Sequence, residues 1–305
     1  TKGLFTQISA SVYQLAVTPD AGEAGNVTVD VAGAVAVDGA GNSNSAATQS
    51  VQAFDTLAPN APVVSALASV TNDATPTITV TAEAGSTVKV YANGVLIGTA
   101  VEGDAGSYSL TAAALLDGAY SVTAVATDAS GNESAASAAQ SFTIDTVAPE
   151  VPQITSGVLT NDATPVITGT AQVGATVSVT VAGKTYTVTA SDGTWSVDTG
   201  AASGTGTSTF TANGSNAVSV TATDAAGNES AAATQTLVVD TTLPTVAITD
   251  NQEGTANGQI IYTFTFSESV SGFTADDVTV GNGTKGLFTQ VSASVYQLEV
   301  TPDAG

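Results

Sequence analysis

A short motif made of an aspartate, two small residues, a glycine and an asparagine occurs three times in the chain. It reads VDGAGN at 37–42, TDASGN at 127–132 and TDAAGN at 223–228. The copies begin 90 residues apart (127 minus 37) and 96 residues apart (223 minus 127). Carboxylate and amide oxygens, without histidine or cysteine, are the ligands of hard cations, and calcium accepts them in irregular geometry. The spacing makes the motif part of a repeating unit rather than a single active site.

The same residues also favour a simple turn. Aspartate and asparagine form Asx turns and tolerate left-handed backbone conformations. A single copy would be interpreted as a turn, whereas recurrence beside another acidic residue favours a cation site. The choice depends on which other oxygen-bearing residues the fold brings to the motif.

The composition indicates turn-rich β domains and excludes several partners. The 305 residues suffice for two or three domains of about 100–150 residues. Hydrophobic residues make up 43% but are mostly alanine and valine, and there are 30 glycines. The 27 acidic residues face only four lysines, which gives a net charge of −23. This charge argues against nucleic acid and anionic membrane surfaces, and its self-repulsion destabilises a compact state unless cations compensate.

The chain carries no cysteine, and therefore neither disulfides nor thiolate metal sites. No stretch approaches about 18 uninterrupted apolar residues, so no membrane insertion is expected in this segment. Because the chain has no methionine and starts at Thr1, we expect an internal fragment, with any secretion signal outside it.

Internal repeats divide the chain into units. Residues 1–22 recur at 284–305 with two differences, Ile8 for Val291 and Ala16 for Glu299. Two related units lie between these copies. The sequence predicts complete repeats at 58–147 and 148–242, the back part of a repeat at 1–57 and the front part of another at 243–305. An artificial duplication of the 22 residues is the alternative.

Each unit has the pattern of short β-strands. Segments such as TPTITVTA (75–82), STVKVYA (86–92), AYSVTAVAT (119–127), AVSVTATD (217–224) and IIYTFTFS (260–267) alternate apolar and small polar residues between turns. About seven strands per 90–100 residues predict an all-β fold of tandem immunoglobulin-like sandwiches arranged as a rod. The linkers at 55–62, 145–152 and 240–245 contain proline, which favours fixed spacing between domains.

In an immunoglobulin-like topology the motif lies in the loop between the last two strands, beside the linker of the preceding unit. This placement gathers an acidic cluster at each junction, which predicts calcium sites. The candidate ligands are Asp55, Glu83, Asp128 and Asn132 at the first junction, Asp145, Asp224 and Asn228 at the second, and Asp240 with Glu268 at the third, where the counterpart of Asp38 would join them. Gln172 stands where the other units have glutamate and weakens the second set. Asp73 and Asp162 lie in a loop that faces the next junction. They are interpreted as turn residues in preference to metal ligands.

Other functions find less support. An enzyme is not expected, since the chain has no histidine or cysteine, and Asp276 and Asp277 are strand neighbours that would point to opposite faces. A ligand-binding module for glycan, peptide or ice is the alternative, with Trp195 and threonine-rich strands such as 77–81 forming a flat face. Partial repeats could also complete each other between chains, since an unfinished sandwich exposes strand edges, but this would matter only for the isolated fragment because the neighbouring repeat supplies the missing half in the longer protein.

The segments TNDATPTITVTAEAGSTVKV (71–90) and DGAYSVTAVATDASGNESAAS (117–137) resemble the bacterial immunoglobulin-like repeats in the extender region of giant RTX adhesins, which are exported by type I secretion. The segments at 266–284 and 27–49 resemble a second subfamily of these repeats. The resemblance implies a secreted, surface-held extender that serves cell adhesion and biofilm formation. Calcium ions and neighbouring repeats of the same chain would be its partners, and calcium would stiffen the domain junctions.

Overall fold

The computed structural model describes residues 1–201 and 203–304, and it confirms the predicted all-β fold. This part of the chain contains twenty-four strands, one 3₁₀ helix at Ala275–Asp277 and no α-helix. No helix in the described ranges is long and apolar enough to cross a membrane.

Residues 1–57 form two separate antiparallel pairs. The strands are β1 (Lys2–Ser9), β2 (Val12–Val17), β3 (Ala24–Val29) and β4 (Ser50–Asp55), with β1 paired to β2 and β3 paired to β4. None of residues 1–57, all of which the structure describes, is buried. These two pairs therefore have strands but no hydrophobic core.

The next eight strands form a closed sandwich. They are β5 (Val63–Val64), β6 (Val70–Thr71), β7 (Thr77–Thr81), β8 (Thr87–Ala92), β9 (Val95–Glu102), β10 (Ser107–Thr111), β11 (Gly118–Thr127) and β12 (Gln140–Ile144). One layer is β5-β7-β10 and the other is β9-β8-β11-β12-β6; a short β9–β10 pairing joins them. Alternation along each strand points one set of side chains inward, as in Ile78 and Val80 of β7. These inward residues meet Val122, Ala124 and Phe142 from the opposite layer.

A second sandwich repeats this plan. Its strands are β13 (Gln153–Ile154), β14 (Leu159–Thr160), β15 (Val166–Thr170), β16 (Thr176–Val181), β17 (Lys184–Thr189), β18 (Thr194–Asp198), β19 (Gly214–Thr223) and β20 (Ala233–Val239). The layers are β13-β15-β18 and β14-β20-β19-β16-β17. Trp195 packs in the core with Leu237 and Val220, directly above Gly169.

The last unit is a single sheet. Strands β21 (Val246–Asp250), β22 (Ile260–Phe266), β23 (Gly283–Gln290) and β24 (Val295–Pro302) are ordered β21-β22-β24-β23. Phe264, Tyr296 and Leu298 form its small core, and Phe273, from the loop after β22, packs edge-on against the first two. The core is therefore made by one sheet and its own loop, without a second layer of strands.

Candidate functional site at the domain junctions

The aspartate motif folds in the same way at all three positions. In its third copy, Asp224 Oδ1 accepts the backbone N–H groups of Ala226, Gly227 and Asn228 at 2.9 Å each, and Oδ2 accepts Asn228 Nδ2 at 2.9 Å. The glycine has φ of 95°, a left-handed conformation that explains its place in the motif. The first and second copies share this geometry around Asp38 and Asp128. The motif is therefore an Asx turn, whatever else it does.

These hydrogen bonds favour the ionised carboxylates. For Asp38 and Asp128 the side-chain bond from the motif asparagine is the main cause that lowers the pKa below its usual value. For Asp224 the largest influence is burial, which raises the pKa, but the hydrogen bonds from Asn228 and its neighbours outweigh burial and leave the pKa lowered. The motif carboxylates are held as anions by their own loops.

At the second junction the motif reaches into the preceding sandwich. Asn228 Nδ2, which already bonds Asp224, also donates to the backbone oxygen of Asp145 at 2.8 Å. A second bond runs the other way, from the backbone N–H of Asn72 to the carbonyl of Ala226 at 3.2 Å. We call these two bonds, made by Asp145, Asn72, Ala226 and Asn228, the junction clasp. The clasp connects the two closed sandwiches through groups that need no charge.

The first junction has a looser version of the clasp. Asn132 Nδ2 donates to the backbone oxygen of Asp55 at 3.4 Å, and the Ser130 hydroxyl donates to Asp55 Oδ2 at 3.2 Å. Ser130 also donates its backbone N–H to Asp128 Oδ1. Asp55 and Asp128 therefore lie at the same junction, as predicted, with Ser130 between them.

The third junction contains an open cavity of about 690 Å³. Asp240 and Glu268 both line it, together with Asn161, Thr160 and the linker residues that follow Asp240. Asp240 Oδ1 accepts the backbone N–H of Thr242. Two acidic residues from neighbouring units therefore line one open cavity.

Several predicted ligands lie apart from these contacts. Glu83 contributes its backbone oxygen, which accepts the Tyr108 hydroxyl at 2.8 Å. Gln172 lines a different cavity together with Glu150. Asp38 belongs to the coreless segment at 1–57 and bonds within its own turn. Within residues 1–201 and 203–304, no three side chains of histidine, cysteine, aspartate or glutamate form a group that could hold a metal ion.

The loops that follow β6 and β14 are predicted to be turns, and their aspartates do form turns. Asp73 Oδ1 accepts the backbone N–H and hydroxyl of Thr75, and Asp162 does the same for Thr164. The contact across the junction comes instead from the preceding asparagine, Asn72, and its counterpart Asn161 lines the third cavity. Sequence reasoning missed both asparagines, although the repeated TNDATP at 71–76 and 160–165 marks the loop.

The residues of the alternative functions have structural roles. Trp195 is only 3% exposed, so it offers no aromatic surface to a glycan or to ice. Asp277 caps the 3₁₀ helix, where its carboxylate accepts the N–H and hydroxyl of Thr274. Both residues stabilise the fold.

Comparison with known proteins identifies the domains. One profile described as bacterial Ig-like domain matches residues 63–146 and 154–241, and a second profile with the same description matches 240–305. No curated protein gives a significant sequence match.

Three solved structures are similar to the chain. The fibronectin(III)-like modules of Clostridium thermocellum CbhA are 17% identical, with 59% of this chain and 94% of that chain covered and a TM-score of 0.38. A tetra-tandem repeat from the extending region of a large adhesion protein is 23% identical, with 92% and 71% covered and a TM-score of 0.31. A marsupial T cell receptor is 9% identical, with 80% and 92% covered and a TM-score of 0.41. Since the two profiles together match most of its length, the chain belongs to the family of bacterial Ig-like domains.

Proposed function

We propose that this chain is an extender segment of a bacterial surface adhesin, which holds an adhesive tip away from the cell. Ig-like domains are typically structural modules rather than enzymes. In this proposal the segment is secreted, by type I export as in RTX adhesins, and works outside the cell in adhesion and biofilm formation. Its task is to supply length and stiffness.

The junction clasp carries the proposal. A chain of separate domains can hold a tip at a distance only if neighbouring domains keep a fixed angle. Domains joined by small polar interfaces normally move relative to one another. Asn228 and Asn72 bond in opposite directions across the second junction, and the proline-containing linker beside them restricts the backbone. Two bonds and a stiff linker favour one orientation of the domains.

Calcium at the junctions belongs to the same proposal. The third junction fits it best, because Asp240 and Glu268 face one cavity and the cavity offers further oxygen donors such as Thr160 and Asn161. At the first junction Asp55 Oδ2 accepts the hydroxyl of Ser130 in the Asp128 turn, and Asp55 Oδ1 accepts the backbone N–H of Leu57. A bound calcium ion would neutralise carboxylates that otherwise repel and would fix the two domains through shared ligands.

The proposal is tested by small-angle scattering and calorimetry of the full chain in EDTA, in about 2 mM calcium and in about 2 mM magnesium. A ligand that binds only the folded state raises its stability according to saturation. We expect calcium to raise the melting temperature more than magnesium and to lengthen the scattering envelope.

Matched variants locate the effect. Asp240→Asn and Glu268→Gln should each reduce the calcium response, whereas Glu253→Gln, which removes one charge from the loop between β21 and β22 at the far end of the sheet from Glu268, should not. Scattering curves that fit a freely jointed chain in every buffer would contradict the extender. An extended, stiff envelope that is identical in EDTA and calcium would retain the extender and reject the calcium sites.

A further inference from the structure

Each closed sandwich contains one short parallel pair of strands. In the first sandwich β6 lies beside β12, and in the second β14 lies beside β20. The other strand pairs described for these two sandwiches are antiparallel. The parallel pair therefore connects a strand near the start of each sandwich to its last strand, which leads into the linker.

Backbone hydrogen bonds of this pair extend to the first residue of the linker. In the first sandwich Thr143 donates its N–H to the carbonyl of Ser69 at 3.0 Å, and Asp145 donates its N–H to the carbonyl of Thr71 at 3.0 Å. The second sandwich has the same two bonds at 2.7 Å and 2.9 Å, the latter donated by its linker aspartate, Asp240. A pull on the linker therefore acts directly on these bonds.

The parallel direction determines how tension acts on the pair. A pull on the two ends of the first sandwich draws β6 back toward the first junction and β12 forward toward the second. Parallel strands that are drawn in opposite directions slide along each other, so the bonds between them stretch together. The adjacent ends of two antiparallel strands, when drawn apart sideways, release their bonds one after another. The pair β6–β12 is therefore placed to resist a pull along the chain.

The second sandwich contacts the ends of both strands of this pair. Asn72 directly follows β6, and Asp145 directly follows β12. The turn at 224–228 bonds both residues, since Ala226 accepts the Asn72 N–H at 3.2 Å and Asn228 Nδ2 donates to the Asp145 carbonyl at 2.8 Å. Sliding of β6 toward the first junction would draw Asn72 away from Ala226. The junction clasp therefore opposes the same movement as the parallel pair.

Further bonds attach the linker to the sandwich that it leaves. Thr146 donates its backbone N–H and its hydroxyl to Asp117 Oδ1, at 3.1 Å and 2.9 Å. In the second sandwich Asn213 has the place of Asp117, and its Oδ1 accepts the same two groups of Thr241. The loop that precedes β11 or β19 therefore shares the pull on the linker with the parallel pair.

We infer that this chain bears tension, and that the first sandwich resists the pull through the parallel pair β6–β12, held at its ends by the 224–228 turn of the second sandwich. The inference goes beyond the extender proposal, which requires stiffness against bending but no strength against pulling. It does not depend on calcium, since the bonds of the pair and of the junction clasp join uncharged groups. Forced unfolding is governed by the unfolding rate, so this strength can be measured apart from equilibrium stability.

The test is single-molecule force spectroscopy of the full chain in EDTA. The chain has no cysteine, so a pair of introduced cysteines defines where the force is applied. Asn60→Cys with Val147→Cys stretches the first sandwich from end to end and leaves the second outside the force path. Leu116→Cys with Val147→Cys instead draws apart the adjacent ends of β11 and β12, where Gly118 lies opposite Ile144. The three attachment residues are exposed.

We expect the end-to-end geometry to require the higher rupture force. Two bonds share the pull when the strands slide, whereas one bond at a time bears it when the strands are peeled apart. Moving one attachment from residue 60 to residue 116 should therefore lower the rupture force to about half or less. The strands and their bonds are the same in both geometries, so a loss of folding cannot explain the difference. Equal rupture forces in the two geometries would overturn the inference.

Variants of the second sandwich test the hold at the strand ends. In the end-to-end geometry Asn228→Ala should lower the rupture force of the first sandwich, although it changes no residue of that sandwich. The control Ser230→Ala removes a hydroxyl of the same loop that accepts the Ala222 N–H within the second sandwich, and it should leave the force unchanged. A gain in length approaching about 3.6 Å per released residue shows that the first sandwich was folded before the rupture. A rupture force that is the same in Asn228→Ala and in the parent would contradict the role of the turn and overturn the inference.

Discussion

Asn228 connects two domains through one side-chain nitrogen. The nitrogen bonds Asp224 within the turn and the backbone of Asp145 across the junction. Asn132 has the same role in its turn but lies 3.4 Å from the Asp55 carbonyl, so its junction bond is weaker. These two asparagines form a matched pair, which differ mainly in what they contact beyond their own loop.

Replacing each of these asparagines with alanine separates its contribution to the turn from its contribution to the domain junction. Asn228→Ala should cost the second sandwich about 1–2 kcal/mol, since Asp224 and the Asp145 carbonyl both lose a donor. It should also accelerate hydrogen exchange at the backbone N–H of Asn72, the other half of the clasp. Asn132→Ala should leave the Asn72 exchange rate unchanged. Equal exchange in both variants would show that Asn228 does not hold the junction.

The motif carboxylates also predict a pH dependence. The pKa of Asp224 is lowered in the folded state, so its contribution to stability is present above the unfolded value of 3.8 and is lost as pH falls through the folded value. Protonation elsewhere relieves the repulsion of a highly acidic chain and acts in the opposite direction. Comparison with Asp224→Asn isolates the local effect.

Between about pH 2 and pH 6, the difference in melting temperature between the parent and Asp224→Asn should be largest near pH 6. It should close below about pH 4. A gap that is constant over the whole range would mean that the ionisation of Asp224 does not stabilise the fold.

Some residues of the junctions could be predicted from the sequence and others could not. Recurrence and the linker position were sufficient to predict that Asp55 and Asp128 meet at one junction. Asn72 was missed because its contact uses the backbone N–H, and a backbone donor leaves no trace in residue type. The exposure of Ile248 could not be predicted either, since alternation assigns a side chain to a face of its strand but does not show whether other strands cover that face.

At the scale of elements, Gly169 of β15 lies where the paired strands β13 and β18 leave no space for a side chain. A Cβ on Gly169 would overlap the backbone carbonyl oxygen of Gln153 in β13 and the ring of Trp195 in β18, so one of these strands would have to shift. Gly103 has no atom within 4 Å of the same position. The two glycines therefore differ in packing, and neither has a left-handed φ that would complicate the comparison.

Gly169→Ala should destabilise the second sandwich by about 3 kcal/mol through overpacking. Gly103→Ala should change stability by less than about 0.5 kcal/mol. Trp195 is the single tryptophan, so its fluorescence reports this sandwich without interference from the others. An unchanged emission maximum and denaturation midpoint in Gly169→Ala would mean that the ring is not seated above residue 169.

Strand prediction from period-2 alternation succeeded for the closed sandwiches and for β22. The duplicated hairpin explains why alternation alone is insufficient for the core. β2 and β24 carry the same alternation, yet Leu298 is buried and its counterpart Leu15 is not. Local sequence determines which side chains share a face, and only the neighbouring strands determine whether that face is covered.

For the whole molecule, repulsion outweighs attraction among charges. The 27 acidic residues face four lysines, and the ion pair in the described ranges joins the amino group of Thr1 to Asp20 at 3.5 Å with both groups exposed. Added salt therefore mainly weakens the repulsion between acidic residues, because few attractive ion pairs are present to be weakened. The clasp bonds of Asn72 and Asn228 are made by uncharged donors and should respond weakly.

Raising sodium chloride from about 0.01 M to about 0.15 M, with EDTA present, should therefore increase the melting temperature of the chain, because the Debye length falls from about 30 Å to about 8 Å. A variant that combines Asp30→Asn, Asp104→Asn and Glu253→Gln removes three charges and should show a smaller increase. Calorimetry at constant protein concentration checks both, and potassium chloride at equal ionic strength should act like sodium chloride. A melting temperature that falls with salt would mean that attractive pairs dominate, and the repulsion that makes bound cations favourable at the junctions would then be absent.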